Sequence, residues 1–115
     1  MGNPVVHFEI SGKDGKKLQS FYKDLFDWNM DIDPQGYGMV AAGEGGIGGG
    51  VTASEQGASV TFYVAVDDCQ KYLDKIERMG GKTVMPPQDY GGMLTFALFS
   101  DPEGNVIGIV KPNQG

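Results

Sequence analysis

The chain has 115 residues, 40% hydrophobic and 21% charged, with one cysteine, one histidine and a formal net charge of -6. That length makes one compact domain, large enough to bury a core without cross-links. The composition excludes disorder, no apolar run approaches the ~20 residues of a membrane-spanning helix, and the acidity argues against a nucleic-acid partner.

In chain order, Val5 to Ile10 alternates, with Val6, Phe8 and Ile10 on one face and Val5, His7 and Glu9 on the other. The purely apolar face is expected to meet helices. Lys16 to Phe26 then sets Leu18, Phe21, Tyr22, Leu25 and Phe26 at helical spacing behind Asp14, a plausible N-cap. Trp28 to Asp33, Tyr37 to Ala42 and Gly46 to Thr52 are three short strand candidates, divided by Pro34-Gln35-Gly36 and Gly43-Glu44-Gly45. A polar stretch, Ala53 to Ala58, separates this unit from the next.

The pattern then repeats. Ser59 to Val66 alternates, with Thr61, Tyr63 and Ala65 sharing a face, and Asp67 or Asp68 caps a helix striped by Tyr72, Leu73, Ile76 and Met79. Gly80-Gly81 ends that helix as a left-handed cap does. Strands are predicted at Lys82 to Met85, Met93 to Phe99 and Asn105 to Val110, the last two joined by the turn Asp101-Pro102-Glu103-Gly104-Asn105. The second copy is longer, and the insertion is assigned to Met85 to Gly92, whose prolines and glycines suit a loop at a cleft mouth. Two units of this kind, about 1–53 and about 58–112, make one pseudo-symmetric domain.

Three stretches carry a resemblance to a known family: His7-Phe8-Glu9-Ile10 with Asp14, Phe21-Tyr22 and Phe26-Asp27-Trp28; Phe62-Tyr63-Val64-Ala65-Val66-Asp67-Asp68; and Asp101-Pro102-Glu103-Gly104-Asn105-Val106-Ile107. They resemble the vicinal oxygen chelate superfamily, which holds glyoxalase I, extradiol dioxygenases, methylmalonyl-CoA epimerase and the fosfomycin and bleomycin resistance proteins. The resemblance implies an α+β fold of two βαβββ modules forming a paired, curled mixed β-sheet around a cleft, within one chain or across a dimer. It also implies a divalent ion held by the first and last strands of each module, at positions that here are His7, Gly48, Thr61 and Gly108.

Those positions argue against the ion. Transition-metal sites need several converging N or O donors, and here only His7 remains as a candidate ligand, with Glu9 two residues away on the same face. No cofactor is therefore expected. His7 and Glu9 are candidate metal-free acid and base, or simply hydrogen-bonded lining residues. The expected ligand-binding cleft consists of His7, Glu9, Gly48, Thr61, Tyr63, Thr95 and Gly108, with Tyr63 offering either a stacking face for a ligand or a packing ring. Gly48 and Gly108 read equally as openings in a roomier cleft or as points of close backbone approach.

The leading expectation is a small-molecule-binding protein of this superfamily without its usual metal ligands. The alternative is a glyoxalase-like lyase or isomerase, or a dioxygenase-type enzyme, using His7 and Glu9 with or without a divalent metal. A third reading is a subunit whose surface mainly mediates association. A small organic molecule is the expected partner, with no nucleic acid, no membrane and homodimerisation. Met1-Gly2-Asn3-Pro4 shows no signal core and Cys69 has no internal disulfide partner, so cytoplasmic residence is expected. Cys69 follows a helix cap, where a dipole can lower a thiol pKa, although a small packed residue is the plainer reading.

Overall fold

The computed structural model describes residues 2–112. Met1, where the leaderless reading began, and residues 113–115 lie outside the described residues. Contacts divide the chain into two compact units, Val6–Phe62 and a second that runs from Tyr63 onward and includes the residues ahead of Val6. Among the described residues no helix is long and apolar enough to cross a membrane.

The first module comprises β1 (Val5–Gly12), α1 (Gly15–Phe26), β2 (Met30–Ile32), β3 (Gly38–Val40) and β4 (Gly48–Ala53). Its strands lie in the order β2-β3-β4-β1, with β4 parallel to β1 and the other pairs antiparallel. A parallel pair needs a long crossover, and α1 with its following hairpin supplies it. Asp14 caps α1 by accepting a hydrogen bond from the Lys17 amide at 3.1 Å, satisfying one of the helix's orphan donors. The helix stops at Asp27, whose φ of 57° makes it the sole left-handed non-glycine among the described residues.

The apolar stripe along α1 is only partly covered. Phe21, Leu25 and Phe26 are each more than half exposed, while the buried helical residues are Gly15 and Gln19. The inward face is fixed by hydrogen bonding as well as by grease: Gln19 donates through Nε2 to the carbonyls of Gly36 at 2.9 Å and Val51 at 2.8 Å. Both acceptors lie on the β2–β4 side of the module, so the buried Gln19 amide ties α1 to that side and finds its own partners there. Tyr22 stacks on Trp28 at 5.7 Å, and Trp28 leans on Phe8 at 5.3 Å, tying helix and strand through aromatic rings.

The second module comprises β5 (Ser59–Ala65), α2 (Cys69–Arg78), β6 (Lys82–Tyr90), β7 (Leu94–Ser100) and β8 (Val106–Pro112), in the order β5-β8-β7-β6. Asp68 is the cap of α2, accepting from the Lys71 amide at 3.1 Å, and the Gly81 amide closes the other end on the Ile76 carbonyl at 2.9 Å. Val66, Cys69, Leu73, Ala97 and Ile109 form the core of this unit, with Val64, Tyr72, Ile76 and Phe99 packed around them. Asn3 joins it by donating to the Ala65 carbonyl at 2.9 Å. In the predicted turn, Asp101 accepts from the amides of Glu103 and Asn105, each at 2.9 Å, and so closes the β7–β8 hairpin.

One expectation is corrected. Met85 to Gly92 is not a loop: β6 continues through both prolines to Tyr90, and only Gly91 to Met93 turn. The strand is the last in its module's order, paired on one side with β7, and its register slips between Thr83 and Met85 and again between Met85 and Gln88. Proline lacks the N–H a ladder needs, and such slips at a strand with one paired side are where it is tolerated.

Candidate functional site

Alternation along β1 sends His7 and Glu9 to one face and Phe8 to the other. Across the parallel ladder His7 pairs with Gly48 and Glu9 with Gly50. A third side chain joins them that the sequence reading assigned no role: Tyr37, just ahead of β3. Its phenol lies 2.8 Å from His7 Nε2 and donates to Glu9 Oε1 at 3.0 Å, and the two rings are nearly parallel, 17° apart. His7, Tyr37 and Glu9 therefore form one continuous hydrogen-bonded chain.

Two local features put Tyr37 there. Asp33 accepts from the amides of Gln35 at 2.9 Å and Tyr37 at 3.0 Å, folding Asp33-Pro34-Gln35-Gly36 into a side-chain-locked turn that delivers the ring. Opposite, a Cβ on Gly50 would fall on the Tyr37 phenol, so the bare backbone of β4 is the ring's seat. Burial lowers the pKa of His7, because a charged imidazole loses solvation there. At neutral pH this histidine is therefore a neutral hydrogen-bonding group.

The divalent ion that the resemblance implies does not fit these residues. His7 Nε2 and Glu9 Oε1 are both engaged by the Tyr37 hydroxyl. Gly48 offers no donor, and a Cβ there would meet the Val40 carbonyl at 2.9 Å, so a longer side chain requires β3 to shift. Among the described residues no group of three or more His, Cys, Asp or Glu side chains comes together. For Gly48, close backbone approach is the reading the geometry favours.

The other candidates divide between the units. Tyr63 pairs with Gly108, not Thr61 with Gly108, so by ladder register Tyr63 stands in the second module where His7 stands in the first. Tyr63 is 7% exposed, a Cβ on Gly108 would fall on its ring, and it meets Phe96 edge-on at 6.3 Å. The packing role of Tyr63 and Gly108 is thus explicit. Thr61 is half-buried and its hydroxyl turns to the neighbouring Phe62 carbonyl at 3.4 Å. Thr95 is half-buried on β7, between Asp89 and Lys111, and its carbonyl faces the Cys69 thiol at 3.6 Å.

Cys69 is 4% exposed, and burial followed by the Asp68 carboxylate raises its pKa, against the depression a helix start would give. It is a packed residue. Tyr37 and Gln19 are hydrogen-bonded polar groups that periodicity did not single out. The one signal for Tyr37 was the run of glycines on β4, which marks a backbone approached closely without saying by what.

Over residues 5–109 the sequence matches the profile of the Glyoxalase/Bleomycin resistance protein/Dioxygenase superfamily. CFP32 of Mycobacterium bovis is 27% identical over 92% of this chain and 44% of its own length. The anthracycline biosynthesis protein DnrV of Streptomyces peucetius is 25% identical over 89% of this chain and 44% of its own. The chain thus spans less than half of these relatives. In fold it is similar to methylmalonyl-CoA epimerase from Mycobacterium tuberculosis, with a TM-score of 0.70 and 14% identity over 96% of this chain and 88% of that one.

Proposed function

We propose, for a chain that belongs to the glyoxalase/bleomycin resistance protein/dioxygenase superfamily, a role as a small-molecule-binding protein whose polar site is organised by hydrogen bonds instead of a divalent ion. The observation that carries this reading is the Tyr37 hydroxyl, which joins His7 and Glu9, the two side chains on β1 with metal-binding chemistry. A neutral imidazole, a phenol and a carboxylate in sequence suit an organic ligand with its own donors and acceptors. Homodimerisation and cytoplasmic residence belong to the same proposal.

The test is a thermal-shift screen of aromatic and cationic small molecules. A ligand at about 100 times its Kd stabilises by about 2.7 kcal/mol, a shift of about 10 °C for a domain of this size. The reading expects at least one such compound, with the shift reduced in Tyr37→Phe. If no compound moves the transition, the reading fails and association with a macromolecule takes its place.

A second reading rests on the same chain of groups. A histidine hydrogen-bonded through a phenol to a carboxylate can take up and pass on a proton, which supports the alternative of a lyase or isomerase acting beside a carbonyl. Deuterium uptake from D2O into carbonyl compounds with an acidic α C–H, catalysed by the protein and lost in His7→Ala, is the outcome this second reading requires.

A further inference from the structure

We infer that Tyr37 is the positioning residue of this site: it transmits the acceptor character of Glu9 to His7 and thereby fixes the imidazole in its Nε2–H tautomer. An ionised carboxylate has only lone pairs, so in the 3.0 Å contact the shared proton belongs to the Tyr37 hydroxyl. A phenol has one proton. Once it is given to Glu9, the same oxygen meets His7 Nε2 at 2.8 Å as an acceptor, and Nε2 must carry the hydrogen. A neutral imidazole has a single N–H, so Nδ1 is left as the ring's acceptor.

The chemical consequence is selective. Whatever group meets the ring at Nδ1 must donate an O–H, an N–H or an acidic C–H, and a ligand carbonyl or carboxylate is refused there. Glu9 thus governs a contact made on the far side of the ring, through a residue placed by the Asp33 turn and seated on Gly50. Burial of His7 keeps the ring neutral, the state in which a tautomer has meaning. This deepens the reading of the site given above, but its readout needs no ligand, so its failure and a failure of ligand binding are distinguishable.

The chain has one histidine, so a long-range 1H–15N correlation spectrum of uniformly labelled protein, in mildly alkaline buffer, shows one imidazole only. The wild type is expected to show a pyrrole-type Nε2 and a pyridine-type Nδ1. In Glu9→Leu the phenol loses its acceptor and turns its proton to Nε2, so the two nitrogen shifts exchange places. Adding Tyr37→Phe to that variant removes the donor and reverses the exchange, while Glu9→Gln, whose amide oxygen still accepts, keeps the wild-type pattern. An Nδ1–H ring in the wild type overturns the inference without recourse to any variant. So does a folded Glu9→Leu protein, verified by its amide spectrum, whose tautomer is unchanged.

Discussion

Tyr37 and Gly50 share one volume: the phenol lies where any side chain at position 50 would begin. Gly50→Ala is therefore an overpacking substitution, expected to cost about 1–3 kcal/mol in chemical denaturation. Because the cost comes from displacing one ring, Gly50→Ala and Tyr37→Ala should be strongly non-additive. A double variant whose loss equals the sum of the two single losses contradicts the seat assigned to Tyr37.

The pH dependence of stability follows from His7. Its folded pKa lies below the ordinary 6.5, lowered by burial. Above 6.5 both folded and unfolded chains hold a neutral ring, and the group contributes no slope. As pH falls through 6.5 the unfolded chain takes up a proton first, so stability declines until the folded pKa is reached and then levels with respect to this group. With one histidine in the chain, His7→Gln should flatten the decline just below 6.5. An NMR titration of His7 with a midpoint above 6.5 contradicts this sign.

Cys69 is buried and its thiol pKa is raised, so native protein should react with an alkylating reagent more than about tenfold slower than denatured protein, the rate being set by opening of the fold. Equal rates in the two states would show that the thiol is accessible.

Leu73 is 1% exposed at the centre of the second module's core. Leu73→Ala should cost about 2–5 kcal/mol, the transfer energy plus that of the cavity left behind. A loss below 1 kcal/mol, about what an exposed helical site shows, would mean that α2 does not pack as described.

Caps, turns and strand alternation were legible in the chain because each is a local property: Asp14 and Asp68 cap the helices, Gly80-Gly81 ends α2, and Asp101 closes its turn as their residue types require. β6 was misread because Pro86 and Pro87 signal a break, whereas what decides their fate is whether a strand has a free side, a tertiary property. The helix α1 was legible, but periodicity shows that a face is apolar and not how much of it is covered. His7 and Glu9 could be picked out by chemistry and alternation. Tyr37 could not, because what brings it to them is a turn locked by Asp33 and a glycine across the sheet, both distant in sequence from β1.

The central claim is that hydrogen bonds through the Tyr37 hydroxyl, and not a chelated ion, organise the polar groups of β1. Elemental analysis of protein purified without chelators tests it most directly. The account predicts divalent transition metal far below one equivalent per chain, with no further loss in His7→Ala. One tightly held divalent ion per chain, released by that substitution, would contradict it.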